Sequence, residues 1–74
     1  MPNKIPQFID HLIDKLPEML IEERQRLGLT QRDVAEKLGM KEQQIQRYES
    51  TRYQSASLRR IREIAKAIFD LGLK

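Results

Sequence analysis

The chain predicts an all-α fold, a compact bundle of about five short helices, with its 74 residues forming one domain over residues 1–74. Three observations carry this. Apolar residues recur at i, i+3 and i+4 along most of the chain, and no stretch alternates apolar with polar over the length of a strand. Glycine, proline and the Ser/Thr clusters fall between the periodic segments, where they end one helix and begin the next. The length admits a single domain, and a chain this short buries only about 60% of its unfolded surface, so its stability is marginal.

The first helix is expected over about residues 6–16. Ile5, Phe8, Ile9, Leu12, Ile13 and Leu16 form its apolar stripe. Pro17 is expected to end or kink it, because the ring meets the carbonyl four residues back. Proline also suits the first turn of a new helix. That second helix carries Met19, Leu20 and Leu27 and stops at Gly28. The third opens at Thr30, an N-cap with Asp33 three residues on, turns Val34, Ala35 and Leu38 inward, and closes at Gly39. The fourth runs from about Lys41 to Glu49. A polar loop, "STRYQSAS", follows it. The last helix is capped by Ser55 or Ser57, carries Leu58, Ile61, Ile64, Ala65, Ile68 and Phe69, and ends at Gly72. Two short helices joined by a glycine-containing turn of about three residues are the description of a helix-turn-helix.

Composition narrows the function. Cysteine is absent and His11 is the one histidine, so there is neither a thiolate site nor a histidine cluster for a metal. No nucleophile–base constellation or phosphate loop is present, so an enzyme is not expected, nor a cofactor. No apolar run approaches the ~18 residues of a membrane span, and the N-terminus lacks the layout of a signal peptide. A cytoplasmic protein is the expectation. Charge is unevenly spread. Residues 1–23 carry two lysines against five carboxylates, whereas residues 24–74 carry twelve basic groups against six acidic ones. Between 47 and 62 stand Arg47, Arg52, Arg59, Arg60 and Arg62 with Glu49 as the one acid. A solvated basic helix face would read the same way, but the asymmetry suits a polyanion surface.

"RQRLGLTQRDVAEKLGMKEQQIQRYES" resembles the helix-turn-helix of the phage-repressor (Cro-like) family, also called the xenobiotic-response-element family. The resemblance covers about residues 20–69 and includes the Arg24–Gln31 entry, the spacing of Ala35 and Gly39, Ile45 and Glu49. It implies a lambda-repressor-like DNA-binding domain. In that setting Gln31 would contact a phosphate and brace the second helix of the motif, with backbone N–H groups sharing the phosphate. Glu42, Gln43 and Arg47 stand where the family places base-reading side chains. Arg24 and Glu49 match a largely buried structural ion pair. The chain departs from the pattern at Lys41, which offers no side-chain acceptor where Ser or Thr is usual, and at Thr51, which stands where glycine is usual. The helix at about 6–16 is additional to the common core.

Helical geometry sorts the 41–49 segment without the family. At about 100° per residue, Ile45, Tyr48 and Glu49 share one side, and Gln43, Gln46, Arg47 and Ser50 share the other. Gln can bond adenine at N6 and N7, Arg can bond guanine at O6 and N7, and Glu42 can accept from cytosine N4. An exposed polar face is by default solvated filler. The motif and the basic surround favour base reading for Gln43 and Arg47, while Gln46 and Ser50 stand between the two readings. Gln44 points sideways. Lys41, Arg52, Arg59 and Arg60 join Gln31 as expected phosphate contacts, and Tyr53 is expected to pack under the loop.

The expected function is sequence-specific binding of double-stranded DNA by a homodimeric transcriptional repressor on a palindromic operator, its half-sites about 34–36 Å apart. Phe8, Ile9, Leu12 and Ile13 are the candidate dimer contact, against the alternative that they pack on the core. A second reading is an antitoxin that binds a toxin protein as well as its own operator, with the acidic first 23 residues facing the toxin. A third is a protein-interaction module without DNA binding.

Overall fold

The structure, a computed structural model, describes residues 6–73, so Ile5 of the first stripe lies outside it. Four helices and no strand occur among the described residues: α1 (Gln7–Arg26), α2 (Gln31–Leu38), α3 (Glu42–Ser50) and α4 (Leu58–Gly72). The count of about five is corrected at Pro17, which stands inside the 20-residue α1 instead of ending it. The reason is where the proline falls. Its missing N–H orphans the carbonyl of Ile13, and residues 10–15 are all exposed, so water satisfies that group.

Three helix ends use one device. After α1, Gly28 (φ +73°) lets its N–H reach the Gln25 carbonyl while the Leu29 N–H reaches that of Arg24, both at 3.0 Å. This is the paired 6→1 and 5→2 pattern that closes a helix through a left-handed residue. After α2, Gly39 (φ +68°) and Met40 repeat it on Glu36 and Ala35. After α3, Arg52 (φ +56°) and Tyr53 (φ +61°) repeat it on Glu49 and Tyr48. Thr51 itself keeps a negative φ of −96°. The absent glycine is therefore felt at Arg52, one residue later than expected.

Helix starts differ in quality. Thr30 and Asp33 form a full capping box at α2, the Thr30 hydroxyl accepting from the Asp33 N–H at 2.9 Å and the Asp33 carboxylate from the Thr30 N–H at 2.8 Å. Ser57 caps α4, accepting from the Arg60 N–H. At α3, Lys41 cannot accept, and Gln44 supplies the reverse half of a box: its Oε1 accepts from the Lys41 N–H at 3.1 Å. The sideways glutamine has a structural task.

The core is Leu20, Val34, Ala35, Ile45, Tyr53, Ile64, Ala67 and Ile68. α2 packs on α3 and α4, and α4 also packs on α1. Two residues of the last stripe are corrected: Leu58 (74% exposed) lies on the first turn of α4 beyond the core, and Phe69 (64% exposed) opens toward solvent beside α1. Gly72 is the last residue of α4 and no left-handed cap; a Cβ there would come within 2.7 Å of the Leu27 side chain, so the glycine permits close approach. The N-terminal half of α1 leaves this body. Phe8, Leu12 and Ile13 are largely exposed and Ile9 is half-buried, so of the described residues of the first stripe only Leu16 packs against the core. The molecule measures 44 × 23 × 18 Å. No helix among the described residues is long and apolar enough to cross a membrane.

Candidate nucleic-acid interface

The position of α3 is set from behind. Ile45 is fully buried against the core. Glu49 receives the Arg24 guanidinium through two bonds, Nε to Oε2 at 2.7 Å and Nη2 to Oε1 at 3.0 Å. Gln31, the first residue of α2, donates its amide to the same Glu49 Oε1 at 2.8 Å. Arg24 Nη1 donates to the Leu29 carbonyl at 2.8 Å, in the turn between α1 and α2. One carboxylate thus ties three helices, with the paired side chains about nine-tenths buried. The C-terminal end of α3 is held by Tyr53, whose ring stacks on Tyr48 at 6.1 Å between centroids and 10° between planes. That contact joins the two residues that the helix-ending hydrogen bond also joins.

Tyr53 is 4% exposed, in agreement with packing under the loop, and its hydroxyl has no hydrogen-bond partner among the described residues. Its pKa is pushed up to about 12, by burial first and then by the Glu49 carboxylate, with Arg24 pulling the other way. The phenol is neutral in the folded protein at any physiological pH.

The outer side of α3 is free of these duties. Glu42, Gln43, Gln46, Arg47 and Ser50 are exposed. Gln43, Gln44, Arg47 and Tyr48 line an open depression of about 410 Å³ whose far wall is Ser55. A second depression lies between α2 and the start of α3, lined in part by Arg32, Lys41, Glu42 and Gln43. Gln43 therefore stands on the ridge between two hollows, with Arg47 one turn along. Sequence reasoning offered Ser55 only as an alternative cap to Ser57 and passed over Arg32; both enter here through the approach of a loop and of α2.

The residues expected to hold phosphates divide into two groups. Lys41 and Arg59 are exposed and form no ion pair among the described residues. Arg52 and Arg60 are engaged with acids: Arg52 with Glu18 of α1, and Arg60 with Glu63 at 3.0 Å. Glu18 sits 34 residues from Arg52 in the chain, a separation that helical periodicity does not link. Gln31 spends one amide hydrogen on Glu49 and keeps a second. The capping box leaves the Gln31 and Arg32 N–H groups without an acceptor inside α2, at the positive end of its dipole. No group of three or more His, Asp or Glu side chains among the described residues is placed to hold a metal.

A helix-turn-helix family profile matches residues 20–69, the span from the second half of α1 into α4. Neither a curated protein nor a solved structure matches the chain. With two short helices joined across residues 39–41, an apolar and ion-paired inner side of α3 and an open polar outer side, the chain belongs to the Cro-like, phage-repressor type of helix-turn-helix DNA-binding regulators.

Proposed function

We propose that the chain is a transcriptional repressor that lays α3 in the major groove of double-stranded DNA and reads base edges with Gln43 and Arg47, assisted by Glu42 and Gln46. The observation that carries this is the division of labour on α3. Its inner side is fixed through Ile45 and the Arg24–Glu49–Gln31 bonds, while Gln43, Gln46 and Arg47 face outward. A helix held this firmly presents its outer side chains at a defined angle, which base readout requires. Gln31, the α2 N-terminus, Lys41 and Arg59 surround it as phosphate contacts, with Arg52 and Arg60 available once they leave their acids. Phosphate contacts set register and most of the affinity, and base contacts set the sequence.

α3 alone covers a few base pairs, so two copies related by a two-fold axis would read a palindrome with half-sites about 10 base pairs apart. Selection from random DNA sequences tests the whole reading. The expected result is an enriched inverted repeat with that spacing. Retention of all sequences equally, at any salt concentration, would overturn base reading by α3.

A further inference from the structure

We propose that the groove between α1 and α4 is the seat for a second copy's protruding α1, so that two chains clasp each other through crossed α1 helices. This rests on the dimeric part of the reading above and supplies its interface. The groove has a volume of about 380 Å³ and a mainly apolar lining that includes Leu20, Leu27, Ile68, Phe69 and Leu73, with the Glu23–Arg26 ion pair also along it. It continues along α1 past Leu16 and Met19. From there the exposed stripe of Phe8, Leu12 and Ile13 carries on up the same helix. Each chain therefore presents an apolar rod and an apolar trough that are continuous with each other, the self-complementary arrangement a two-fold contact needs.

Area and charge both identify a second copy as the occupant. The exposed parts of Phe8, Leu12, Ile13, Met19, Phe69 and Leu73 amount to roughly 600 Å² per chain, so mutual burial removes on the order of 1,200 Å² in total, the lower bound of stable interfaces. Around α1, at about 100° per residue, His11, Lys15, Glu18 and Glu22 border the stripe on one side, Lys15 within 3.9 Å of its own Glu18 and exposed enough to meet a second carboxylate, and Asp10 and Asp14 lie on the far face. Antiparallel helices that cross near Met19 bring Lys15 opposite Glu22 of the partner subunit. The same crossing lays Phe8 and Leu12 toward the end of the trough closed by the partner's Leu27 and the partner's Phe69. Opposite charges then border an apolar seam, as in an antiparallel helix pair.

Sedimentation equilibrium of the purified chain without DNA tests this. The wild type is expected to be a dimer. Phe69→Glu, at an exposed position, should weaken dimerisation by about 30-fold or more while leaving the helical circular dichroism unchanged. Should that variant lose its helices, Leu73→Glu tests the same trough. Lys15→Glu should weaken the dimer several-fold, and the exchange Lys15→Glu with Glu22→Lys should restore it, which no packing role of either residue would do. A wild type that stays monomeric at about 1 mM overturns the interface, as does a folded Phe69→Glu or Leu73→Glu that dimerises like the wild type. A monomer that still selects one DNA half-site would leave base reading by α3 standing while the clasp falls.

Discussion

On its inner side α3 carries Ile45, with no exposed surface, and Glu49, bonded to two other helices; on its outer side it carries Gln43, Gln46 and Arg47, all exposed and with no side-chain hydrogen bond or ion pair among the described residues. Nine residues serve two ends with almost no overlap. Inner substitutions should unfold the protein and outer ones should redirect it, and a variant that did both or neither would break the division. The largest effect is expected at Glu49. Replacing it with Ala leaves the Arg24 guanidinium buried beside the chain's three-helix junction, and such a loss costs about 3–5 kcal/mol. Chemical denaturation should show the midpoint falling accordingly, with DNA binding lost only to the extent that the protein unfolds. A Glu49→Ala variant as stable as the wild type would show that the junction does not hold α3.

The outer side should answer in the opposite way. Gln43→Ala and Arg47→Ala should leave the unfolding midpoint within about 0.5 kcal/mol of the wild type, since exposed substitutions away from caps and pairs do little. Each should reduce discrimination at one position of the selected operator by ~1–3 kcal/mol, measured as the affinity ratio between the preferred and the altered base. A uniform loss across all sequences would move that residue from base edges to phosphate.

Arg52 lies on the boundary between the two sides, and Glu18 holds it there. Both side chains are partly exposed, at 53% and 38%, so the pair adds little to stability. Glu18→Gln should leave the melt unchanged and raise affinity several-fold for any DNA sequence, by releasing a cation for phosphate. Arg52→Ala should lower affinity for unrelated sequences about equally and reduce the salt slope by ~1. If Glu18→Gln leaves DNA affinity unaltered, the contact with Glu18 does not hold Arg52 back from the phosphate backbone.

What could be read in the sequence follows the same line. The capping box at Thr30, the glycine ends at Gly28 and Gly39, the inward Val34, Ala35 and Ile45, and the outward Gln43 and Arg47 are all properties of neighbours in the chain, expressed through helical periodicity. Pro17 misled because a proline's cost depends on whether the freed carbonyl meets water, and that depends on how far α1 stands clear of α4. The Glu18–Arg52 contact, the trough beside Phe69 and the close approach of Gly72 to Leu27 depend on tertiary distance, which periodicity does not encode. Gln44 is an intermediate case. The residue three places after a helix start is a capping position by rule, but the rule is usually applied to Ser or Thr starts, and Lys41 hid it.

Tyr53 gives the smallest expected effect at neutral pH, and it separates the two tyrosines that stack at the end of α3. Its hydroxyl is buried with no partner among the described residues, so Tyr53→Phe keeps the ring on Tyr48 and removes an unsatisfied polar group. Stability near pH 7 should rise by about 1 kcal/mol, since leaving a buried donor unpaired costs about that much. The sign is the same at every pH, and the gap widens as pH rises above 10. In the unfolded chain the phenol loses its proton near its ordinary value of 10.0, whereas in the folded protein it keeps it until about 12. Relative to the phenylalanine variant, the stability of the wild type is constant below pH 10 and falls as pH rises from there through about 12, because the unfolded state releases the proton first. Every other ionisable group is common to both proteins, so the difference between wild type and Tyr53→Phe isolates this one group. Denaturation midpoints at pH 8, 10 and 11.5 should therefore diverge, with the phenylalanine variant increasingly the more stable. Parallel pH profiles would mean that the hydroxyl reaches water in the folded state, and that the inner side of α3 is less dry at its C-terminal end than at Ile45.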